Sequence, residues 1–576
     1  MFNAKISKNF TDAETRGPRR VIDELRSIQH EFGYLPADRL HDLAAKIQVP
    51  LSQIHAVASF YPHFHLTPPA QAEVRVCADM ACHLRGGTDL KRGLEQAFSG
   101  GGPEKVALRN VSCLGRCDQA PALSINDRIY SSLDEHRATA LVRDVLSGRP
   151  LPEEKQDQRR APVLSDPYSG APKYSLVRQF VEAPDWNTVI TTLKAAGLRG
   201  MGGAGFPTGS KWEIVRNAPG KERYIVCNAD ESEPGTIKDR FIMENVPYLL
   251  IEGMIMAGLV TGARRGILYI RHEYERPREI LQEEIDRCYR EELLGARVLG
   301  TNLGFDLEIF VSPGGYICGE ESALLEAIEG KRAEPRNKPP FPGTNGLWNQ
   351  PTAINNVETF TFATVILARG AEWFKEQGTN GAFGMKFVGI SGDVNRPGVY
   401  EVPMGTKYSH LIYDYAGGIL DGRKLLAYAP SGPSSGYLPA SMADLPLDWN
   451  AVAQAGSMVG SGAIVVCAEG RCMLDMALNA VRFYRNESCG KCVPCRVGSQ
   501  KLVEMLSSWT EGRSSSTDLQ LLDELTHALK MTSICGLGQV VPVPIASVLK
   551  HFREVVDEHL THRRCTAGVC FPRGTA

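Results

Sequence analysis

The cysteine spacing near the C-terminal end constrains this chain more than any other feature. Cys489, Cys492 and Cys495 form a C-x2-C-x2-C run, and Cys535 follows after 39 intervening residues. Thiolates spaced by two residues on a tight loop can face one centre, and a distant loop can supply the fourth ligand after folding. Structural zinc usually pairs two C-x2-C knuckles, whereas three cysteines in one run plus a remote one is commoner for a cubane. The spacing therefore favours a [4Fe-4S] cluster over zinc.

Length and composition set the broad class. A chain of 576 residues predicts roughly three or four domains at about 150 residues each. The formal charge of -2, from 64 basic and 66 acidic residues, predicts no nucleic-acid or membrane-surface partner. The longest apolar stretch, 248–263, carries Glu252 and is too short to span a bilayer, so it predicts a buried helix and no membrane insertion. Fifteen cysteines and no secretory signal predict a reducing compartment, the cytoplasm.

A second cysteine set lies in the first quarter of the chain. Cys77 and Cys82 are spaced C-x4-C, and Cys113 and Cys117 are spaced C-x3-C, each pair after an apolar strand. Two pairs on loops after neighbouring strands can hold two irons, one pair to each iron. Core thiols or an irregular zinc knuckle are the alternatives, but the glycines around the pairs favour exposed loops. We therefore expect a [2Fe-2S] cluster.

The order of these features resembles a known protein family. Helical patterns over 19–60, an ASFY segment, C-x4-C and CLGxC follow one another as in the thioredoxin-like [2Fe-2S] subunit of respiratory complex I and its relatives. We assign 1–147 to this helical and thioredoxin-like domain. Residues 148–173 are Pro-rich and charged, which predicts an extended, solvated linker.

The middle of the chain combines a glycine-rich loop with a predicted parallel sheet. The loop, LRGMGGAGFPTGSKW over 198–212, lets backbone approach a phosphate or ring, but it is a weak signal alone. The strand RYIVC then ends in NADESEPGTIKDR, and the strands GILYIR and DLEIFV each lead into a helix. Polar residues at the carboxyl ends of parallel strands suit ligand binding, although helix caps and solvated turns are the ordinary alternative. A Pro-stiffened loop over 336–359 adds lysine and aromatic residues suited to a dinucleotide.

From about Ser175 to Leu560 the chain closely resembles the NADH-binding flavoprotein subunit of the complex I family. The resemblance implies that FMN is bound by Gly200, Lys211, Asn228, Asp230, Tyr316, Gly319, Glu320, Asn355 and Asn356. It implies that NADH is bound by Gly202, Gly203, Gly205, Phe206, Glu231, Glu233, Glu321, Lys338 and Phe341, with Phe206 stacking on the nicotinamide and Glu233 orienting it as the catalytic pair. Met201 stands where relatives often have arginine, which argues against a phosphate contact there.

The expected architecture is therefore an α/β multidomain chain. After the N-terminal domain and linker we expect a Rossmann-like FMN/NADH domain at 174–384, a small ubiquitin-like α+β insert at 385–470, a helical [4Fe-4S] bundle at 471–560 and a tail at 561–576. Single cysteines, Cys472 among them, are interpreted as small buried thiols. Cys565 and Cys570 form C-x4-C in the tail, for which a disordered end is expected and metal binding is the alternative.

The cofactors imply a diaphorase. NADH delivers two electrons as hydride and iron-sulfur clusters accept one at a time, so FMN must stand between them. We expect hydride transfer from nicotinamide to flavin, electron exit through the Cys489 cluster, and storage of one electron at the Cys77 cluster. The partner would be a subunit with further iron-sulfur clusters and the terminal active site.

The whole module resembles the diaphorase end of three kinds of complex: NAD-dependent formate dehydrogenase, NAD-reducing hydrogenase and complex I. Fusion of both parts with intact N-terminal cysteines favours the beta subunit of a molybdopterin or tungstopterin formate dehydrogenase. A different class, a cluster-bearing electron-transfer or scaffold protein without nucleotide chemistry, is kept beside it.

Overall fold

The computed structural model describes residues 21–100, 102, 104–154, 162–514 and 517–571. The predicted start of the first helix at 19 and part of the predicted linker, 155–161, lie outside these ranges. The architecture within them is a mixed α/β chain with three sheets and a C-terminal set of helices, which confirms the predicted fold class.

Three helices open the described chain: α1 (Val21–Phe32), α2 (Ala37–Ile47) and α3 (Leu51–Phe60). The helical spacing of apolar residues buries one face of α1, and this face joins the core shared with the C-terminal helices. Tyr61, directly after α3, donates its hydroxyl to the carbonyl of Lys331 at 2.6 Å. The N-terminal helices therefore pack on the flavin-domain and C-terminal helices.

The thioredoxin-like part contains a four-stranded sheet of order β2-β1-β3-β4. Its elements are β1 (Ala72–Cys77), α4 (Met80–Leu84), α5 (Gly87–Ala97), β2 (Val106–Val111), β3 (Ala122–Ile125), β4 (Arg128–Ser131) and α6 (Glu135–Leu146). Strands β1 and β2 are parallel and the other pairs are antiparallel. The loops after β1 and β2 consequently leave the sheet at the same edge.

The central part contains a four-stranded, all-parallel sheet of order β7-β6-β5-β8. Its elements are α7 (Ser175–Glu182), α8 (Trp186–Ala195), α9 (Thr208–Asn217), β5 (Tyr224–Ala229), α10 (Lys238–Asn245), α11 (Pro247–Thr261), β6 (Arg265–Arg271), α12 (Glu275–Arg290), β7 (Asp306–Ser312), α13 (Glu321–Ile328), α14 (Pro342–Asn345), β8 (Thr352–Asn356), α15 (Val357–Arg369) and α16 (Ala371–Glu376). The apolar stretch forms α11, whose residues are all buried, as predicted. Strand β8 was missed, because its residues were assigned to a loop.

The insert has a five-stranded sheet of order β10-β9-β13-β11-β12. Its elements are β9 (Met385–Gly392), β10 (Gly398–Pro403), α17 (Tyr408–His410), β11 (Leu425–Pro433), β12 (Leu438–Pro439), α18 (Trp449–Gln454) and β13 (Ala463–Ala468). The C-terminal helices follow as α19 (Met473–Glu487), α20 (Val493–Thr510), α21 (Asp518–Thr532), α22 (Gly536–Val540), α23 (Val543–His551) and α24 (Arg553–Thr561).

Part of the predicted linker is packed instead of solvated. Tyr168 is buried in the core around α11 and α15. The Tyr248 hydroxyl donates to Asp166 at 2.5 Å. The prediction of an extended, solvated segment is therefore wrong for these residues. The aromatic ring of Tyr168 packs against an apolar surface, although it lies in a Pro-rich stretch.

Among the described residues, no single helix has the length and apolar character needed to cross a bilayer. Helices α10 and α11 taken together have that length and apolar character, but the two helices are bent by 94° relative to each other.

Candidate functional site

The four cysteines predicted to hold the first cluster converge at one edge of the thioredoxin-like sheet. Cys77 ends β1, Cys82 lies on α4, and Cys113 and Cys117 lie on the loop after β2. All four are buried, and the sulfurs of Cys113 and Cys117 are 3.4 Å apart. The backbone amide of Gly235 donates to the Cys117 sulfur at 3.2 Å. Amide donors of this kind stabilise a ligated thiolate, so the residues present fit a [2Fe-2S] cluster.

The second cysteine set surrounds the starts of two helices. Cys492 is the residue before α20, Cys495 lies in its first turn, and Cys535 is the residue before α22. Burial raises the pKa of the Cys495 thiol to about 12, and the nearby Cys492, Cys535 and Cys489 add to the shift. Helix N-termini favour negative charge, and a metal centre supplies the charge that buried thiolates need. This donor set fits the predicted [4Fe-4S] cluster.

The glycine-rich loop turns sharply in front of the parallel sheet. The amide of Gly200 donates to the carbonyl of Phe206 at 2.9 Å, which closes the loop. Gly203 and Gly205 have φ values of 128° and 66°, where side chains are disfavoured. A Cβ at Gly202 would lie 2.9 Å from the Cβ of Asn356. The loop therefore needs glycine both for its conformation and for its approach to β8.

Lys211 places a positive charge behind this loop. Its Nζ donates to the carbonyl of Ile354 at 2.7 Å and lies 5.9 Å from the Phe206 ring centroid. Burial lowers the pKa of Lys211, and Glu321 opposes the shift. In the described part of the chain no carboxylate reaches salt-bridge distance of Lys211, so its charge is available for an anionic group.

Two buried polar atoms at the strand ends lack a hydrogen-bond partner among the described residues. They are Oδ2 of Asp230, after β5, and Nδ2 of Asn355, on β8. The Oδ1 of Asn355 accepts from Trp212 at 3.0 Å, and Asn228 donates to the carbonyl of Gly319 at 2.7 Å. Buried polar groups are normally paired, so an unpaired acceptor and an unpaired donor beside a glycine loop fit a bound polar cofactor such as FMN.

The three carboxylates of NADESEPG have different surroundings. Burial raises the pKa of Asp230, Glu231 and Glu233 to about 7 in each case, although Arg271 opposes the shift at Asp230. Glu233 accepts from the backbone amide of Ser434 at 3.2 Å. Among the described residues, only Ser434 hydrogen-bonds the Glu233 side chain, so the carboxylate keeps acceptor capacity for a ligand.

Glu231 occupies a structural position. Its two oxygens accept from the amides of Asp239 at 2.7 Å and Arg240 at 3.0 Å, in the first turn of α10. The Tyr274 hydroxyl donates to it at 2.8 Å. This geometry favours a helix cap over the NADH contact implied by the resemblance, because both oxygens are already engaged.

The same is true of Asn356, for which the resemblance implied an FMN contact. Its Oδ1 caps α15 through the amide of Glu358 at 3.0 Å, and its Nδ2 donates to Asp239 at 2.6 Å. Oxygen and nitrogen therefore both have protein partners. Asn356 positions the loop through Gly202 instead of presenting a free amide.

The remaining predicted residues line the outer side of the loop. Lys338 pairs with Glu320 at 2.9 Å and with Glu321 at 2.6 Å. Glu320 also caps α13 by accepting from the amides of Ser322 and Ala323 at 2.9 Å. Further out, Phe206 and Phe341 are 45% and 59% exposed, so both rings are open to stacking.

Tyr316 links the flavin motif to the cubane helix. Its amide donates to Glu487 at 2.6 Å, and the Ser112 hydroxyl donates to the other oxygen of the same carboxylate. Ser112 precedes Cys113, and Glu487 stands two residues before Cys489. Sequence reasoning missed Glu487 and Ser112, although their adjacency to cysteine ligands was an available signal.

A buried charge network was also missed. Glu358 accepts from Lys238 at 3.0 Å and from Lys386 at 3.2 Å, and Lys238 pairs with Asp239 at 2.6 Å. Lys386 is the second residue of β9, so the network joins the insert to the flavin domain. Met201 lies buried with its sulfur 3.9 Å from the Lys386 Nζ.

Four regions of the chain match models of known protein families. Family models match the Nuo51 FMN-binding domain at 193–365, thioredoxin-like [2Fe-2S] ferredoxin at 6–146, the NADH-ubiquinone oxidoreductase-F iron-sulfur binding region at 475–559 and the SLBB domain at 387–437. These matches indicate FMN, NADH, [2Fe-2S] and [4Fe-4S] as cofactors, as predicted.

Two curated relatives and one solved structure define the extent of the similarity. The second F-type NADH-quinone oxidoreductase chain of Rhizobium meliloti (strain 1021) is 40% identical over 402 residues, covering 70% of this chain and 96% of the relative. NAD-reducing hydrogenase HoxS subunit alpha of Cupriavidus necator is 33% identical over 565 residues, covering 94% of this chain and 92% of the relative. The crystal structure of an NAD+-reducing [NiFe]-hydrogenase in its H2-reduced state has a chain with TM-score 0.84, 33% identity and 94% coverage of both chains.

With these identities over nearly the whole of its relatives, the chain belongs to the family of NADH-binding FMN and iron-sulfur proteins that includes the F-type chains of the NADH-quinone oxidoreductases and the alpha chain of NAD-reducing hydrogenase.

Proposed function

We propose that this chain is a diaphorase subunit that passes electrons between NAD(H), FMN and its two iron-sulfur clusters. The observation that carries the proposal is the pair of hydrogen bonds that the Glu487 carboxylate accepts. The carboxylate accepts from the Tyr316 amide at 2.6 Å and from the Ser112 hydroxyl, and its own helix leads to Cys489. One side chain thus connects the flavin motif, the first cluster loop and the second cluster loop.

Five of the predicted residues have surroundings that support a role in this proposal. FMN, when bound, accepts hydride from NADH and releases electrons singly to iron-sulfur clusters. Asp230 and Asn355 offer the unpaired acceptor and donor for its polar groups, and Lys211 offers a charge for its phosphate. Phe206 provides an exposed ring for stacking, and the Glu233 carboxyl accepts from the nucleotide.

Hydrogen bonds join the thioredoxin-like domain to α19 and to the flavin domain. Asn479, on α19, accepts from the amide of Met80 at 2.8 Å and donates to the carbonyl of Ala78 at 2.7 Å. Arg240 donates to the carbonyl of Gly115 at 2.6 Å. These contacts hold the two loops that carry the ligands of the first cluster against the rest of the chain. This proximity supports electron exchange between the first cluster and the other cofactors.

For the terminal reaction we propose formate oxidation on a partner subunit that carries further iron-sulfur clusters and a molybdopterin or tungstopterin site. The fusion of both modules with all four N-terminal cysteines present supports this choice. In this proposal the terminal chemistry takes place on the partner subunit, and this chain contributes the nucleotide site, FMN and its two clusters. We expect the complex in the cytoplasm, consistent with fifteen cysteines that form no disulfide.

A second candidate is the diaphorase subunit of an NAD-reducing hydrogenase. The observation that favours it is similarity over the full length, since the hydrogenase alpha subunit aligns across 94% of this chain. The two candidates share every residue role above and differ only in the partner. A non-catalytic scaffold protein is the third reading, and a flavin absorbance spectrum of the purified chain distinguishes it.

Activity of the isolated chain tests the proposal. It should reduce ferricyanide or a viologen with NADH but oxidise neither formate nor hydrogen. Adding a formate dehydrogenase module should restore formate-dependent NAD reduction, whereas rescue by a hydrogenase module alone would favour the second candidate. Formate oxidation by the chain alone, with partner contamination excluded by mass spectrometry, would contradict the division of labour. Absence of flavin and of NADH oxidation would favour the scaffold protein.

A further inference from the structure

Four side chains from the last part of the chain meet at a point that the electron path does not use. They are Cys472, His559, Cys565 and Cys570, whose ligand atoms all lie within 4.8 Å of one another. Within the described ranges, no other group of three or more His, Cys, Asp or Glu ligand atoms is gathered this closely. The sequence predicts a buried thiol at Cys472, which the structure confirms. It predicts a disordered end at the two tail cysteines, with metal binding as the alternative, and the fold brings both of them to Cys472.

The separations match those around a single tetrahedral ion. The sulfurs of Cys472 and Cys570 are 3.7 Å apart, and the Cys472 sulfur is 3.6 Å from Nε2 of His559. With Zn–S near 2.3 Å and Zn–N near 2.0 Å, a tetrahedral site gives about 3.8 Å between sulfurs and about 3.5 Å between sulfur and nitrogen. A disulfide would require sulfurs about 2.05 Å apart, much closer than these.

The histidine is oriented as a ligand. Its Nδ1 lies 2.7 Å from the carbonyl of Val555, one turn earlier in α24, and donates its proton there. Nε2 then carries the lone pair and faces the sulfurs. A backbone carbonyl that holds the other ring nitrogen is the usual second contact of a metal-bound histidine. The ring is almost completely buried, at 1% exposure, so it has no water contact to compensate for an unused lone pair.

We propose that Cys472, His559, Cys565 and Cys570 bind one zinc ion as a closed structural site. Three thiolates and one imidazole complete a tetrahedron and leave no open position, which distinguishes a structural zinc site from a catalytic one. A cubane is disfavoured because its four irons stand between the sulfurs and hold them further apart. Three of the four residues also lie outside the ranges that match the family models, and His559 is the last residue of its range.

The ion would join three parts of the C-terminal domain. Cys472 directly precedes α19, the helix that ends beside the second cluster; His559 belongs to α24; and the other two ligands belong to the segment after α24. Phe571 also holds that segment in place: its ring stacks on His559 with ring centroids 5.5 Å apart, and its amide donates to the carbonyl of Thr510 at 3.0 Å. The site therefore secures the terminal segment to the cluster-bearing helices.

Metal analysis of the full-length protein, purified with its FMN and iron, tests the site. We expect about one zinc per chain beside roughly six irons. Zinc-edge X-ray absorption should give three sulfurs at about 2.3 Å and one nitrogen at about 2.0 Å. Cys565→Ser and Cys570→Ser should each reduce zinc at least about tenfold. They should keep the iron and the NADH-ferricyanide activity and lower the unfolding temperature.

Two control variants match the ligands. Cys288→Ser changes a buried thiol on α12, and His562→Asn changes an exposed histidine one turn beyond His559; both should retain zinc. Wild-type protein from zinc-replete cells that contains no zinc would overturn the proposal, whether its thiols are free or its mass is lower by the two hydrogens of a disulfide. Loss of iron instead of zinc from Cys565→Ser would overturn it in favour of a third iron-sulfur cluster. If the variants fail to fold, the metal content and absorption spectrum of the wild type still decide.

Discussion

Replacing Glu233 by glutamine removes a charge from the proposed nicotinamide site and leaves the shape nearly unchanged. Burial raises the pKa of this carboxyl from 4.5 to about 7, and the hydrogen bonds from Ser434 oppose the shift. Above pH 7 the wild-type group is ionised and accepts strongly from a nucleotide donor; below pH 7 it is protonated. Glutamine is neutral at every pH, so the variant should differ from the wild type mainly at high pH.

The size of the effect follows from that ionised hydrogen bond. A hydrogen bond to a charged group contributes about 1.5–3 kcal/mol, and each 1.4 kcal/mol is about tenfold in affinity. The KM for NADH of Glu233→Gln should therefore exceed that of the wild type by roughly 10- to 150-fold at about pH 8.5. The ratio should approach one below about pH 6, where the wild-type carboxyl is neutral. FMN content should be unchanged at both pH values.

Stability provides a second measurement on the same variant. The folded pKa lies above the unfolded value, so the folded chain binds more protons between pH 4.5 and 7, and stability falls as pH rises through this window. Glutamine does not ionise, so the variant does not lose this stability as the pH rises. Its free energy of unfolding at high pH should exceed that of the wild type by up to about 3 kcal/mol. Glu401→Gln is the matched control, because burial also raises the pKa of Glu401 but its carboxylate accepts from Leu164 and Ser165, away from the nucleotide. A KM ratio independent of pH, or loss of FMN with an unchanged KM, would refute the reasoning.

Three further changes test other parts of the site. Cys535→Ser should lower iron from roughly six to roughly two per chain, since only the cubane is lost; iron above about four would contradict the ligand set. Gly202→Ala should raise the KM for NADH roughly 5- to 150-fold, because a Cβ 2.9 Å from Asn356 costs about 1–3 kcal/mol and distorts the loop; an unchanged KM would show that the loop adapts. Lys386→Met should destabilise the chain by about 3–5 kcal/mol in thermal or urea unfolding, because it removes one partner of the fully buried Glu358; unaltered unfolding would show that the network adds nothing.

Much of the chemistry could be predicted from local sequence. The C-x2-C-x2-C run and the pairs Cys77/Cys82 and Cys113/Cys117 are short segments whose spacing restricts which ligand they can hold, whereas the glycine loop needed the neighbouring strands to support its interpretation. Helical periodicity likewise predicted α1, and the continuous apolar stretch predicted the buried α11. These signals depend on contacts within a few residues, which the order of residues determines directly.

The tertiary structure decided which distant residues meet. Glu231 and Asn356 were implied as nucleotide contacts, but the fold places each at a helix start where backbone amides occupy them. Ser434 reaches Glu233 from the insert, and Glu487 joins two cluster loops from a helix.

The C-terminal cysteines show the same division most clearly. Their C-x4-C spacing permits a metal site, yet the other two ligands come from Cys472 and His559, which are separated by 86 intervening residues. The sequence pattern does not indicate that the start of α19 lies beside the end of α24. That proximity comes from burying apolar helix faces against one another, a property of the whole domain, so only the folded chain could reveal the four-residue cluster.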